Sequence, residues 1–409
     1  MLATLASTGR SASRACAGRL PSLHDLDERT ALMYLHNGVM LRALQGSPQE
    51  KLRAAVACRR LIARRTNAPV QAVIDAGLVP LFVRFLDEPA LLDSPLLDDT
   101  LWMLINVAAG TPEQTLVVVR NGAVRPLVRL LTQATTYSHA HLAAWALANI
   151  ARDMPNDVLR EGALPPLLAL AAIYLFMHAP GPHASAYPCA CARCRDAHTG
   201  KLRLEMLQVL AFALRQLCQG IPRPPLELVR PALPVLVLLA EHCRDEDVLV
   251  NVGWALESFV ASLRGEALGS TLSLDAALGA GVLPVLLDLA AHSNTDVSLA
   301  ALAGLLHVAR AGASHSSTLI AAGALARLGR CLTRDRSSCM LACDVLAAVV
   351  SQGHVQALID NELFPLLFSI IHATATTAVN AHVAYVVWRA CLAADVGACL
   401  LFSSQCFLG

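Results

Sequence analysis

The sequence predicts an all-α protein, a right-handed α-solenoid of about seven to eight three-helix repeats. Three observations carry this. Apolar residues make up 55% of the 409-residue chain, yet only 4% of residues are aromatic and 15% charged. That apolar content is mostly Leu, Ala and Val, which favours helices packed on helices and excludes disorder and long coiled coils. A short phrase, Gly-apolar-apolar-Pro followed by a Leu-rich run, recurs along most of the chain. A polar turn and a longer helical stretch follow each copy.

The phrase stands at Gly77-Leu-Val-Pro80, Gly122-Ala-Val-Arg125-Pro126, Gly162-Ala-Leu-Pro165 and Gly281-Val-Leu-Pro284. Weaker copies stand at Pro231-Ala-Leu-Pro234, Gly323-Ala-Leu-Ala326 and Glu362-Leu-Phe-Pro365. Successive landmarks lie 45, 40, 69, 50, 42 and 39 residues apart. Four of these six intervals sit near 42, and the two long ones hold insertions. An all-helical repeat of about 40–47 residues is the armadillo/HEAT pattern. Within each unit a short helix ends at the Gly, which takes a left-handed conformation cheaply. The Pro opens a second helix, where its missing N–H costs nothing. The third helices are expected at Leu97–Ala109, Ala140–Ala151, Leu202–Cys218 and Asp247–Ala261. One unit cannot bury its own apolar faces, so the units must stack.

The third helices carry the functional signal. Trp102 and Asn106 are four residues apart and share a helical face. Trp145 and Asn149 repeat the pair one unit later. Phe212/Gln216 and Trp254/Ser258 occupy the same places in the next two units. Three of the four Trp of the chain therefore fall at one repeat position. Trp as a plain core residue is the alternative, but an amide four residues on must find partners if buried. A ladder of Asn amides can pair with the backbone of an extended peptide whatever its sequence. Stacked helices about 10 Å apart match about three extended residues. Neighbouring indoles would form slots for long aliphatic stems with cationic tips, and Asp99 and Asp153 are placed to favour Lys or Arg.

These residues resemble the importin-α (karyopherin-α) family of armadillo nuclear import adaptors. The likeness runs from about Gln49 to Leu392. Ala54–Arg64 into Val73-Ile-Asp-Ala-Gly-Leu-Val-Pro80 resembles the family's first repeat. Trp102…Asn106-Val-Ala-Ala-Gly110-Thr-Pro-Glu-Gln-Thr115 is similar to its second repeat and Trp145-Ala-Leu-Ala-Asn149-Ile-Ala-Arg-Asp153 to its third. Leu217-Cys-Gln-Gly-Ile-Pro-Arg-Pro-Pro225 is similar to the fourth. The resemblance implies a groove on repeats two to four that binds lysine/arginine-rich nuclear localisation peptides. Trp102, Asn106, Trp145 and Asn149 match its Trp/Asn ladder. Gly110 (carbonyl), Thr115 (hydroxyl) and Asp153 (carboxylate) match the pocket for the key lysine, Asp99 an acidic position, and Asn251 replaces an acid beside Trp254.

The same resemblance exposes departures. Leu142 and Val209 stand where the family has polar groove residues. At the family's second, minor site Asp344 and Tyr385 take the Trp positions, and Ala348 and Arg389 the Asn positions. Arg389 would repel a basic residue. The repeats stop about two short of the family's, where its members bind an export receptor. Residues 1–47 are expected to form a mostly disordered segment without the basic run that binds importin-β, leaving that partner open. Residues 48–393 are expected to hold the repeats, with a loop insertion at 178–200, and 394–409 a tail.

Other signals are weaker. Residues 1–24 hold no acid before Asp25 and resemble an organellar transit peptide, the alternative being a disordered stub. Cys189, Cys191 and Cys194 with His183 and His198 could hold Zn²⁺, or form a reduced loop. The remaining Cys lie scattered in helical stretches, as small hydrophobes do in a reducing compartment. With 32 basic and 31 acidic side chains the net charge is +1, so no global field points to nucleic acid or a membrane surface. The longest apolar run, Ala163 to Met177, is 15 residues and contains two prolines, short of the ~20 a spanning helix needs. Phosphate-binding, nucleophile-elbow and zinc-protease motifs are absent. The expectation is a non-enzymatic adaptor of cytoplasm and nucleus without cofactor, or else a degenerate scaffold for other protein partners, with an organellar place as the alternative.

Overall fold

The computed structural model describes residues 28–63, 68–91, 94–134, 136–176, 200–265, 274–373 and 377–393. Among the described residues the regular structure is entirely helical. The chain divides into two compact units between Ala163 and Leu164. In the first unit α1 (Glu28–His36), α2 (Val39–Leu44) and α3 (Pro48–Ile62) form one helix triplet. A second follows with α4 (Val70–Asp75), α5 (Val79–Phe85) and α6 (Pro95–Ala108). A third has α7 (Pro112–Arg120), α8 (Val124–Gln133) and α9 (Tyr137–Asp153), and α10 (Pro155–Arg160) ends the unit.

The second unit opens with α11 (Leu164–Phe176) and α12 (Gly200–Gln219). Then come α13 (Leu226–Val229), α14 (Leu233–His242) and α15 (Glu246–Gly265), followed by α16 (Leu274–Ala277), α17 (Leu283–Ala290) and α18 (Thr295–Arg310). Two more triplets complete it: α19 (Ala313–Ala321), α20 (Ala324–Leu332), α21 (Arg336–Ser351), and α22 (Val355–Asp360), α23 (Leu363–Ala373), α24 (Thr377–Ala393). In each unit every third helix packs on the next, α3 on α6 on α9, and α12 through α15, α18 and α21 to α24.

Local chemistry sets the boundaries. Ser47 caps α3 and Thr111 caps α7, each accepting a hydrogen bond from the backbone of the third helical residue, Glu50 or Gln114. The Glu50 and Gln114 side chains return the bond to the cap's own N–H, so orphan donors are satisfied in pairs. Pro48 and Pro112 open these helices where no donor is lost. The landmark glycines Gly77, Gly122, Gly162, Gly281 and Gly323 all have positive φ, between 70° and 95°. At the seventh landmark Glu362 makes the same turn with φ 54°, a conformation that costs a side-chain-bearing residue more. The weak copy at Pro231 turns differently, through a 3₁₀ segment, Arg230–Ala232.

One boundary differs from expectation. Residues 28–44, part of the stretch expected to be mostly disordered, form α1 and α2. Ala31, Tyr34 and Leu35 put an apolar stripe on α1, and Met40 and Leu44 do so on α2; all are buried. Gly38, φ 67°, lies 39 residues before Gly77 and is an eighth landmark, obscured because Leu41 stands in the place of the proline. Among the described residues the helical repeats therefore reach back to Glu28, ahead of the expected start at 48.

The core is built from small and aliphatic side chains. Gly253 shows why. A Cβ there would stand 2.9 Å from the Ala300 Cβ, so α15 and α18 meet through residues too small to separate them. Buried Cys58 and Cys218 serve as small hydrophobes, burial pushing both thiols up to about 12. The transit-peptide stretch and the Cys189, Cys191, Cys194 cluster lie outside the described residues. No described helix is long and apolar enough to cross a membrane.

Candidate functional site

The C-terminal turn of α6 leaves carbonyls without helical partners. Those of Ala108, Ala109 and Gly110 gather where the chain turns into α7, at the negative end of a helix dipole. The Thr115 hydroxyl on α7 is fully buried there, 3.1 Å from the Ala108 carbonyl and 2.9 Å from Asp153 Oδ2. Asp153 ends α9, so a residue 38 positions away is brought to the same place. Sequence reading grouped Gly110, Thr115 and Asp153, and the fold assembles all three. Thr115, being buried, holds the carboxylate instead of lining an open pocket. A buried hydroxyl makes the corresponding bond in the second unit, from Ser316 to the Ala309 carbonyl.

The anionic centre already holds a cation. Arg152, next to Asp153, donates from Nη2 to the Gly110 carbonyl at 2.7 Å and to Asp153 Oδ2 at 2.8 Å. Its Nε donates to Asp153 Oδ1 at 3.1 Å and its Nη1 to the Ala109 carbonyl at 3.3 Å. The bidentate pairing with Asp153 is the strong form of this contact, and it raises the guanidinium pKa further.

The aromatic pair is closed as well. The Trp102 and Trp145 rings meet edge to face with centroids 5.3 Å apart. A methylene stem held between two rings touches each at about 4 Å, so no slot exists between them. Both indoles are half-buried, and a stem can lie only along their outer faces. The two amides diverge in role. Asn106 is half-buried and donates to the Trp102 carbonyl of its own helix at 2.7 Å. Asn149 is 7% exposed and donates to the Ile105 carbonyl of α6 at 3.1 Å, strapping α9 to its neighbour.

The other expected acidic position is also occupied. Asp99 is buried, with Oδ1 2.5 Å from Arg59 Nε of α3. Burial pushes its carboxyl above the usual range, and Arg59 reverses only part of that. Asn251 and Trp254 lie on α15 in the second unit, where Arg215 of α12 sits 5.8 Å over the Trp254 ring and 3.4 Å from Asn251 Oδ1.

Sequence reading missed these three arginines. Arg59, Arg152 and Arg215 all stand on third helices, close to the positions assigned to binding. The repulsion argued for Arg389 applies equally to them, so the signal was present. Arg389 itself donates to Ser351 at 2.9 Å, and Asp344 pairs with His382 at 2.8 Å.

Comparison with known proteins bears on the fold. The armadillo/β-catenin-like repeat family matches residues 111–152, which span α7, α8 and most of α9. Importin subunit alpha-2 of Arabidopsis thaliana is 36% identical over 248 residues, 60% of this chain. The matched part is 39% of that relative, so the chain spans about two fifths of its length. An engineered protein of known crystal structure superposes with a TM-score of 0.67 at 22% identity, over 90% of this chain and 86% of its own. A designed armadillo-repeat protein in complex with the peptide (KR)4 superposes at 0.50 and 26% identity, over 66% of this chain and 98% of its own. Over the matched residues the chain is an importin-α-like armadillo-repeat protein.

Proposed function

We propose that the chain is a non-catalytic adaptor of the nuclear import type, shared between cytoplasm and nucleus, that binds extended lysine/arginine-rich localisation peptides along α6 and α9. One observation carries the reading: the Gly110 carbonyl and the Asp153 carboxylate converge on a single point and hold a cationic side chain there. The same converging acceptors can take the three N–H donors of a lysine ammonium, though without the forked pairing of a guanidinium. The outer indole faces of Trp102 and Trp145 offer a support for its stem, and Asn106 retains an amide oxygen for a peptide backbone. The importin-α relatives and the (KR)4 complex of a similar designed protein support the same chemistry.

Fluorescence anisotropy with a labelled lysine-rich peptide tests it. Saturable binding that falls with rising salt, and is lost when each lysine becomes norleucine, is expected. Equal binding of both peptides would refute the reading. The second reading, a scaffold for partners of other chemistry, is favoured by the closed Trp pair and by Asp99 being consumed by Arg59. It predicts equal binding of the lysine and norleucine peptides.

A further inference from the structure

The seat just described contains the chain's own arginine. Arg152 reaches carbonyls of the preceding third helix and both oxygens of its neighbouring carboxylate, every contact going to an acceptor. We propose that Arg152 is a tethered occupant of this cation seat, which the lysine or arginine of an incoming peptide must displace to bind. Arg152 thereby sets the affinity threshold of the site; the inference rests on the basic-peptide reading above.

Three features distinguish an occupant from a structural clasp. The Arg152 side chain is 39% exposed whereas Asp153 is 12% exposed, so the guanidinium lies over the carboxylate with water beside it and can swing away. The carboxylate does not depend on Arg152 for its place, because the buried Thr115 hydroxyl holds Oδ2 from below. Nor does the repeat require a cation here. The residues three beyond the ladder position in neighbouring third helices are Ala109, Gln219 and Ala261. Displacement exchanges one cation for another on the same acceptors, so no buried carboxylate is left unpaired, and the released guanidinium is hydrated. An intramolecular competitor lowers apparent affinity by the fraction of time the seat is open.

The test uses the full chain and three forms of it: wild type, Arg152→Ala and Arg152→Gln. Binding of the lysine-rich peptide and its norleucine counterpart is followed by anisotropy. With the seat open about a tenth of the time in the wild type, both variants should bind the lysine peptide about tenfold more tightly. The norleucine peptide should gain nothing, and adding Asp153→Asn should erase the gain. Low-millimolar guanidinium should compete with peptide on Arg152→Ala more than on wild type. Variants of unchanged melting temperature that bind no more tightly overturn the inference while wild-type binding leaves the basic-peptide reading standing. Absence of binding in all three forms overturns both. Binding in the variants alone upholds the inference and limits the reading to the opened seat.

A wild-type measurement guards against variants that misfold. Phenylglyoxal modifies accessible arginines, and mass spectrometry locates the adduct. Saturation with an arginine-free lysine peptide should speed modification of Arg152, since displacement sends it into solvent. Slower or unchanged modification would overturn the proposal.

Discussion

The two units share a scaffold but carry different chemistry on their third helices. In the first unit Trp102 and Trp145 meet beside a carboxylate that holds Arg152. In the second, the ninth residues of α15, α18, α21 and α24 are Trp254, Ala303, Asp344 and Tyr385. There acid–histidine pairs replace the aromatic pair, Glu257 with His307 at 3.0 Å and Asp344 with His382 at 2.8 Å. Both units pair acids of these faces within the chain, with arginine in one and with histidine in the other. The stacking of the repeats depends on buried Leu, Ala and Val, and the capping pairs supply the helix starts. The half-exposed residues between are free to diverge.

The sharpest break of the comparison is a charge reversal in each unit. Asp153→Lys is expected to abolish lysine-peptide binding, a loss of about 2–3 kcal/mol or about a hundredfold in Kd. Asp344→Lys should leave it within experimental error. Equal losses from both in an anisotropy titration would mean that the units do not differ as binding surfaces.

The ladder amide position gives the next contrast, read as stability. Asn149→Ala removes the strap to the Ile105 carbonyl, a buried bond worth about 1 kcal/mol, while that carbonyl keeps its bond from the Ala109 amide. A fall of the melting midpoint by about 2–4 °C per kcal/mol is expected. Ser258, at the same position of α15, is buried with a hydroxyl that has no hydrogen-bond partner among the described residues. Ser258→Ala should leave the midpoint unchanged or raise it. A matching drop in circular dichroism melts would show that the position has one role in both units.

Capping gives a smaller effect. Asp335 caps α21, accepting from the Ser338 amide at 2.9 Å and hydroxyl at 2.7 Å. Asp335→Ala should cost about 1 kcal/mol in chemical denaturation. No change would mean that α21 is held by packing alone.

The smallest contrast lies in the sign of two pH dependences. Burial raises the Asp99 carboxyl more than Arg59 lowers it, so the native state binds the proton better than the unfolded chain. Asp99 therefore costs stability as pH rises through the ordinary aspartate range. Burial also pulls Asp335 up, but its bonds from Ser338 and Thr295 pull it further down. Its contribution is present above that range and is lost as pH falls through the lowered value. Asp99→Asn should gain on wild type as pH rises from 3 to 6, and Asp335→Asn should lose. Curves moving in the same direction would contradict the assignment.

Much of the fold was legible residue by residue. The landmark glycines Gly77, Gly122, Gly162, Gly281 and Gly323 do take left-handed φ. These signals are local, completed within four residues, so a linear string holds them in full. The landmark at Gly38 escaped because a leucine, Leu41, stands in the place of its proline, although its spacing of 39 residues was in plain view. The site was legible as a set of positions: Gly110, Thr115 and Asp153 do converge.

The sequence by itself determined the helices, the repeat period and which faces must be buried, because periodic apolar residues and caps act over a few residues at short range. Only the tertiary structure decided how the polar residues on those faces spend their hydrogen bonds. Asn149 faces α6 closely enough to be a strap, Thr115 lies beneath Asp153 instead of open to a ligand, and Asp99 belongs to Arg59. Arg152 bends back onto the end of α6, where the carbonyls of one helix and the carboxylate of another meet. Such pairings are fixed by distances of about 3 Å between residues some 40 positions apart, and no pattern of neighbours along the chain encodes which acceptor a flexible arginine will reach.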